Sequence, residues 1–337
     1  MMDPVRAAAS PRVSFAIQRL GAQLGPAVFV LPDGRQVNPL HVAPWADDPG
    51  AGALPGILRS LRGEWPCVPY GYGSAAGPDT PDRWAGIMAP PETGEDVHGY
   101  GANVPWDWGD CTAGSLALSV DYPSGHPVRR LERHVRAVPG EAALEFVLTI
   151  HARADCDLPL GLHFTFRLPD TPGAARIEPG ACRLVRSFPG TVEPGASLFA
   201  IDREFPALAA APARAGRTID ATAVPFAVPA EELLQIDGSD GTIALCVPAE
   251  GYRAGLRWDP GVFPSVNLWY SNRGRQAFPW NGRHLALGME PICSPFGLSP
   301  GTARQPNPVS AAGTPTVRRF RAGESMTTAY RLDITPV

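Results

Sequence analysis

The sequence contains no lysine, and all 29 of its basic residues are arginine. Schiff-base chemistry and lysine general bases are therefore excluded. A basic surplus is also missing, because the net charge is −4 at pH 7, and this argues against nucleic acid as the main partner. No apolar run reaches the ~18 residues that span a bilayer, and the first 15 residues lack the apolar core of a signal peptide. We expect a cytoplasmic protein that binds neither nucleic acid nor membrane.

Clustered metal ligands are absent as well. The six cysteines stand singly, without a CxxC pair, and the seven histidines show no HxH or HxxxH spacing. We expect unpaired cysteines in a reducing compartment, with neither a metal ion nor another cofactor. The sequence has no GxSxG motif, and no pair of carboxylates in an aromatic segment singles out a glycosidase.

Alternation of apolar and polar residues with period two recurs between the 39 prolines and 36 glycines. One face is apolar throughout ALEFVLTI (143–150) and GLHFTFRL (161–168). The segments SVNLWYSN (265–272) and TTAYRLDI (327–334) follow the same pattern, and residues 32–34 mark a hairpin turn. Many short strands separated by turns predict an all-β sandwich or barrel.

Helical patterns are scarce. Residues 132–136 and 208–215 are weak helical candidates, and a proline at 212 makes the second more typical of a loop or short turn. Two segments rich in proline, glycine, serine and threonine are predicted as long surface loops, 70–96 and 299–316. No composition shift divides the chain, so we expect one β domain over residues 1–337, with residues 1–12 flexible.

Two predicted strands carry unusual residues on their polar faces. In RHLALGMEP (283–291), one face is apolar and the other has small residues before Glu290. In the segment 161–168, His163 lies beside Thr165 on the polar face. A polar face is normally solvated, but small neighbours leave room for a ligand on the sheet.

Aromatic and amide residues are concentrated near the strand predicted at 283–291. They are Trp258, Asn267, Trp269, Asn272, Trp280 and Asn281. Aromatic faces and amide hydrogen bonds suit a polyhydroxylated ring, which has apolar C–H faces and a rim of hydroxyls. A glycine-rich segment with His98 and two nearby tryptophans adds to this pattern. A saccharide site is one interpretation, and packing of the aromatics in the core is the other.

Four segments occur in an informative order: LRGEWPCVPYG, VHGYGANVPW, PLGLHFTFRLP and NLWYSNRGRQAFPWNGRHLALGMEP. In that order and spacing the chain resembles the aldose 1-epimerase (galactose mutarotase-like) family. The resemblance runs from about residue 13 to the C-terminus, and no single motif in it is strong. It implies a large antiparallel β-sandwich and a small-molecule sugar as the partner, and it leaves the oligomeric state open.

The resemblance also implies roles for individual residues. Glu290 would be the general base and His163 the general acid of sugar ring opening. His98 would bind the sugar near its ring oxygen, Arg62 would lie in the substrate cleft, and Asp237 is the nearest match to an aspartate that holds sugar hydroxyls. Three further substrate-binding candidates come from the aromatic and amide cluster: Trp269, Asn272 and Trp280.

The implied activity is interconversion of the α and β anomers of a free hexose, an isomerase reaction that needs an acid and a base. For such an enzyme we expect Glu290 and His163 to face each other across about one sugar ring. Departures from the family pattern, such as Ile292 in place of a glutamine, leave the sugar open.

Three alternatives to a free-hexose mutarotase stay open. A sugar-phosphate mutarotase would use an arginine for the phosphate, with Arg62, Arg257 and Arg283 as candidates. A carbohydrate-binding protein on the same scaffold would bind without turnover. Lyase or isomerase chemistry on an acidic sugar would require further arginines in the cleft.

Overall fold

A computed structural model describes residues 4–90 and 96–337 of the chain. In the first half, the strands are β1 (Val5–Ala9), β2 (Val13–Gln18), β3 (Leu24–Val30), β4 (Gln36–Val37), β5 (Glu64–Cys67), β6 (Asp107–Trp108), β7 (Ser115–Asp121), β8 (Val128–Ala137), β9 (Ala143–Ala152), β10 (Cys156–Leu158) and β11 (Leu160–Arg167). In the second half, they are β12 (Ala175–Pro179), β13 (Leu184–Ser187), β14 (Glu204–Phe205), β15 (Ala211–Pro212), β16 (Thr218–Ile219), β17 (Ala223–Val224), β18 (Ala230–Asp237), β19 (Thr242–Val247), β20 (Tyr252–Trp258), β21 (Ser265–Asn272), β22 (Leu285–Cys293), β23 (Arg318–Phe320) and β24 (Ser325–Pro336).

Helices are short and few. The α-helices are α1 (Asp82–Ala85), α2 (Tyr100–Asn103), α3 (Pro300–Arg304) and α4 (Pro308–Ala311). The 3₁₀ helices are Ala51–Ala53, Gly56–Ser60, Leu208–Ala210 and Pro248–Glu250. Among the described residues, no helix has the length and hydropathy of a membrane span.

Two large antiparallel sheets contain most of the strands. The first has 11 strands in the order β1-β2-β3-β5-β11-β22-β21-β18-β13-β14, with β4 added beside β3. The second has nine, in the order β17-β12-β19-β20-β24-β9-β8-β7-β6. The sheets pack face to face, since the ring of Phe164 in β11 contacts Phe146 in β9 and Tyr330 in β24 at centroid distances of 5.7 and 5.9 Å. The predicted all-β sandwich is confirmed.

The alternating segments form strands because each presents one apolar face to the core between the sheets. The four predicted segments lie in β9, β11, β21 and β24. The predicted hairpin at 32–34 joins β3 to β4, with Phe29 opposite Val37 and Val30 opposite Gln36.

Several local predictions differ from the structure. Residues 132–136 lie within β8, where burial alternates along the strand, so the period-two pattern overrides the helical propensity. The stretch Val5–Ala9, expected to be flexible, instead pairs with β2 over five positions. The predicted loop 299–316 contains α3 and α4, and Thr302 and Val309 within it are buried.

The 11-stranded sheet is buried on both faces around β22. Leu285, Leu287 and Met289 belong to the core between the sheets, as their alternation predicts. The opposite face of the sheet, with Glu290, is not solvated. Connecting segments cover it and enclose a second hydrophobic cluster with Trp45, Trp65, Trp84, Trp269, Trp280 and Ile292.

Candidate active site

A cavity of about 630 Å³ lies on this covered face of the 11-stranded sheet. Its described lining includes five of the eight predicted site residues: His98, His163, Trp269, Trp280 and Glu290. The strands β11, β21 and β22 are neighbours in the sheet, and they bring His163, Asn267 and Glu290 side by side on the cavity floor.

The cavity floor centres on a carboxylate and an imidazole. Glu290 is 1% exposed and His163 is 5% exposed, and the distance from Glu290 Oε1 to His163 Nε2 is 3.3 Å. The other carboxylate oxygen, Oε2, accepts hydrogen bonds from the Tyr70 hydroxyl and from Asn267 Nδ2, the latter at 3.0 Å. Asn267 lies directly opposite Glu290 in the pairing of β21 with β22. One oxygen is thus held by two donors while the other faces His163.

Two glycines make this arrangement sterically possible. A Cβ atom on Gly288 would lie 2.4 Å from Glu290 Oε1 and 2.9 Å from the Cβ of Trp269. A Cβ atom on Gly161 would lie 2.2 Å from the ring of Tyr70. The small residue before Glu290 therefore makes room for the carboxylate itself, and Gly161 lets Tyr70 reach that carboxylate across β11.

Burial shifts the proton affinities of the pair in opposite directions. Removal from water raises the pKa of Glu290 to about 7, against the hydrogen bonds from Tyr70 and Asn267, which favour the charged form. Removal from water also lowers the pKa of His163 well below its ordinary value, and the nearby His98 adds to this effect. Below about pH 7 the pair therefore holds one proton between them, until His163 is protonated in more acidic solution.

His163 is fixed from several sides. Its ring stacks on Trp65 with centroids 4.1 Å apart and an interplanar angle of 14°, and its Nδ1 lies 3.2 Å from the Thr165 hydroxyl. The ring of His98 meets it edge-on at 5.0 Å. These contacts leave the imidazole one orientation, with Nε2 towards Glu290.

His98 lies in the loop before α2 with a left-handed backbone, φ 58°. This conformation costs a non-glycine residue roughly 1–2 kcal/mol, and such residues are frequent at functional sites. The backbone N–H of Gly71 donates to His98 Nδ1 at 3.3 Å, so the neutral ring carries its proton on Nε2. Burial lowers the pKa of His98 to about 4, which keeps it a neutral hydrogen-bond donor.

One wall of the cavity is aromatic and carries an ion pair between a buried glutamate and a half-buried arginine. Trp269 and Trp280 meet edge-on at 5.9 Å, and the guanidinium of Arg275 lies 4.6 Å from the Trp280 ring. Glu231, which is fully buried behind this wall, accepts from Trp269 Nε1 at 2.6 Å and pairs with Arg275 Nε at 3.1 Å. Glu231 thereby fixes both the indole and the guanidinium.

Three predicted residues are not brought to the cavity. Arg62 donates from Nε to the carbonyl of Ser60 at 2.9 Å and is not part of the lining. Asp237 is fully buried in a salt bridge with Arg186 at 2.6 Å. Asn272 donates to the carbonyls of Phe226 and Val228 at 3.1 and 2.6 Å, and so it anchors a loop.

Other residues of the site were not among the predicted set. Tyr70 and Arg275 stand within the segments that carry the resemblance, and Asn267 stands in the amide cluster, but the sequence offers no signal that ranks them above their neighbours. Asn267 Oδ1 is buried without a hydrogen-bond partner beside the carboxylate. Within residues 4–90 and 96–337, no three or more His, Cys, Asp or Glu side chains are grouped to hold a metal ion.

Comparison with known proteins identifies the fold. No protein-family model and no curated protein matches the chain. Among solved structures, one provisionally named an aldose 1-epimerase, from Escherichia coli K12, is similar at a TM-score of 0.65 and 16% identity, covering 99% of both chains. A galactose mutarotase-like protein from Lactobacillus casei has a TM-score of 0.58 at 14% identity, covering 98% of this chain and 99% of its own.

A third similar structure is a galactose mutarotase related enzyme from Lactobacillus acidophilus, with a TM-score of 0.59 at 12% identity, covering 98% of this chain and 97% of its own. Likeness over nearly the full length of each protein confirms the resemblance at the level of the fold. The chain has the galactose mutarotase-like β-sandwich fold.

Proposed function

We propose that this protein is a mutarotase, an isomerase that interconverts the α and β anomers of an uncharged aldose. The observation that carries the proposal is the buried contact between Glu290 and His163 on the cavity floor. Glu290 takes the proton of the C1 hydroxyl while His163 delivers a proton to the ring oxygen, and the C1–O5 bond breaks. Rotation about C1–C2 and the reverse transfers then close the ring on the other face.

The expected separation of Glu290 and His163 by about one sugar ring differs from the structure, in which the two side chains are in direct contact. The hydroxyl oxygen on C1 and the ring oxygen are both bonded to C1, so the atoms that lose and gain protons are neighbours. An acid and a base that are themselves neighbours can therefore serve both oxygens, and Glu290 Oε1 lies 3.3 Å from His163 Nε2. Each positioned acid or base typically contributes ~10²–10⁴-fold to the rate.

The reaction requires that Glu290 and His163 together hold one proton. A pair with Glu290 ionised and His163 protonated has a base and an acid at once, and this form belongs to the singly protonated state of the pair. The raised pKa of Glu290, about 7, extends the singly protonated state to neutral pH. Because the pKa of His163 is lowered, that proton rests on Glu290 and has to move to His163 across the contact between Oε1 and Nε2 before ring opening. His98 Nε2–H and the unpaired Oδ1 of Asn267 supply a further donor and acceptor for sugar hydroxyls.

The charges around the cavity favour an uncharged sugar over a phosphorylated or acidic one. Arg275 is the one arginine among the described lining residues, and it is already paired with Glu231. The three arginines considered for a phosphate are outside the lining: Arg62, Arg257 and Arg283. Arg257 instead pairs with Asp333, and Arg283 pairs with Asp48. Asp96 and Glu193 add negative charge to the lining.

The experiment is anomer exchange measured by saturation-transfer NMR on a panel of aldoses and aldose 6-phosphates, with the wild type and Glu290→Gln. We expect faster exchange of an unphosphorylated aldose with the wild type, and a loss of ~10²–10⁴-fold with the variant. Line broadening from binding without any faster exchange would instead support the alternative, a carbohydrate-binding protein. Preferred exchange of a 6-phosphate would contradict the argument from charge.

We also propose the cytoplasm as the location of this activity. The six cysteines are unpaired, and their scattered positions fit a reducing compartment.

A further inference from the structure

The cavity has a second part that the proposed reaction does not use. Apart from the polar floor, its lining is apolar and comes from the segment around the 3₁₀ helix Gly56–Ser60, from three loops and from Leu233 in β18. The residues concerned are Pro55, Ile57, Leu58, Leu61, Val97, Val192, Leu233, Ala277 and Phe278. The total volume of about 630 Å³ is in the range of sites that bind ligands of drug size, which are larger than one sugar ring.

Exposed hydrophobic side chains are concentrated at this part of the cavity. Among the described residues, six large hydrophobic side chains are exposed, and three of them line the cavity: Tyr72 (37%), Val97 (43%) and Phe278 (52%). Two of the others, Val5 and Val337, are close to the chain ends. Exposed apolar side chains in the lining of one cavity favour the binding of an apolar group.

The lining beside this surface also contains polar residues. Asp96 and Glu193 are next in the chain to Val97 and Val192, whereas Asn103 and Arg275 are engaged by the protein itself. The Asn103 side-chain carbonyl accepts from the backbone N–H of Ile57 at 3.2 Å, and its amide donates to the carbonyls of Val97 and Gly99 at 2.7 and 2.9 Å. Arg275 is paired with Glu231. Asn103 thus joins the segment around Ile57 to the segment around Val97. Both polar groups of its side chain are used in these hydrogen bonds.

We propose that the ligand of this cavity is a reducing sugar that carries an apolar substituent, an aryl or alkyl group, on the edge of the ring remote from C1. The position follows from the proposed function, on which this inference rests. Ring opening needs a free hydroxyl at C1, so C1 and the ring oxygen lie at Glu290 and His163. The remote edge of the ring then points away from the polar floor, and an apolar group there covers the aliphatic surface and Phe278.

The test compares glucose and galactose with their 4-O-benzyl ethers in the anomer-exchange assay. We expect kcat/KM for a benzyl ether to exceed that for the parent sugar by about tenfold or more, because the benzyl group buries apolar surface on binding. The gain should be in KM, since contacts with the substituent are the same before and during ring opening.

Matched variants locate the effect. Val97→Ser and Val228→Ser make the same change at similarly exposed valines, at 43% and 51%, but only Val97 lines the cavity. Val97→Ser and Phe278→Ser should each lower the preference for the benzyl ether several-fold, and Val228→Ser should leave it unchanged. Equal kcat/KM for ether and parent sugar, or equal preferences in all three variants, would overturn the inference.

Binding measured by titration calorimetry separates this inference from the proposed function. If no sugar exchanges faster, the proposed function fails. A tighter complex with the benzyl ether that weakens in Val97→Ser and Phe278→Ser would then still support the apolar part as a ligand site. Ether and parent sugar bound equally, or neither bound, would overturn the inference by itself.

Discussion

Glu290 and Glu64 are two buried glutamates on the same sheet with different surroundings. Both are at most 1% exposed, and both accept a hydrogen bond from a tyrosine hydroxyl, that of Tyr70 for Glu290 and that of Tyr330 for Glu64 at 2.7 Å. Glu64 also forms a salt bridge with the fully buried Arg133, in the core between the sheets. Glu290 faces a histidine and a cavity instead.

The partner, and not the burial, distinguishes Glu64 from Glu290, for which we propose a role in proton transfer. Burial raises the pKa of Glu64 as well, but the guanidinium of Arg133 favours the ionised carboxylate and has no proton to exchange near neutral pH. The imidazole of His163 gains and loses a proton in the accessible range, so the pair with Glu290 can exchange protons with a ligand. Two other carboxylates on the face of the sheet that carries the site, Glu231 and Asp237, also have arginine partners.

The largest expected effect in this comparison is on stability. Glu64→Gln leaves the buried charge of Arg133 without its counter-ion, and we expect the free energy of unfolding to fall by about 3–5 kcal/mol. Urea unfolding measures this loss. Glu178→Gln is the matched control, because its pair with Arg253 at 2.6 Å is on the surface and should contribute less than about 1 kcal/mol. Similar losses in both variants would contradict the distinction.

Replacing Glu290 by glutamine should instead increase the free energy of unfolding at alkaline pH. The pKa of Glu290 is raised from 4.5 to about 7, so its contribution to stability is present at low pH and is lost as the pH rises through 7. At about 1.4 kcal/mol for each pH unit, the loss approaches about 3 kcal/mol. Glu290→Gln does not titrate, so it should be more stable than the wild type at about pH 8.5 and similar at about pH 4.5, in urea unfolding at both values. If the variant were less stable than the wild type at the higher pH, the folded protein would have to stabilise the buried negative charge of Glu290.

The pH dependence of activity tests whether the pair of Glu290 and His163 exchanges a proton, which the pair of Glu64 and Arg133 does not. The proton shared by Glu290 and His163 is lost as the pH rises through the pKa of about 7, and the pair then lacks an acid. We expect kcat/KM for anomer exchange to fall about tenfold for each pH unit above that value. Activity that rises through pH 7 to a plateau would mean that His163 is not the acid.

The smallest expected effect is a shift of the pH profile when the tyrosine that donates to each glutamate is replaced by phenylalanine. The hydroxyl of Tyr70 stabilises the ionised form of Glu290, so Tyr70→Phe should raise the pKa of Glu290 further. We expect the alkaline limb of the pH profile to move up by less than about one unit. Tyr330→Phe removes the equivalent donor from Glu64 and should leave that limb in place. A shift of equal size in both variants would point to a general loss of packing.

Much of the fold was predictable from the sequence, because a strand that is buried on one face has alternating apolar and polar residues. The segments in β9, β11, β21 and β24 show this. Glu290, His163 and His98 were candidates because of the family resemblance, which rests on the order of four segments, and all three line the same cavity. Their association in one cavity is a property of the sheet, in which β11 and β22 are neighbours although more than a hundred residues separate them.

The remaining site residues depend on register and on loops, which the sequence does not specify. Asp237 shares a face of β18 with Leu233, which lines the cavity, but four residues of strand place it about 13 Å further along. Asn267 is beside Glu290 only because of the register between β21 and β22, which a long connection joins. Arg275 lies within that connection, where no periodic pattern constrains its position.

The stacking of Trp65 on His163 gives the site an optical reporter. An indole in van der Waals contact with an imidazole loses fluorescence by electron transfer when the imidazole becomes cationic. At a centroid distance of 4.1 Å and an angle of 14°, the emission of Trp65 should therefore report the proton on His163 directly. The sequence has eight tryptophans, so the contribution of Trp65 is the part of the emission that a Trp65→Phe variant loses, and it is measured without a substrate and without a label.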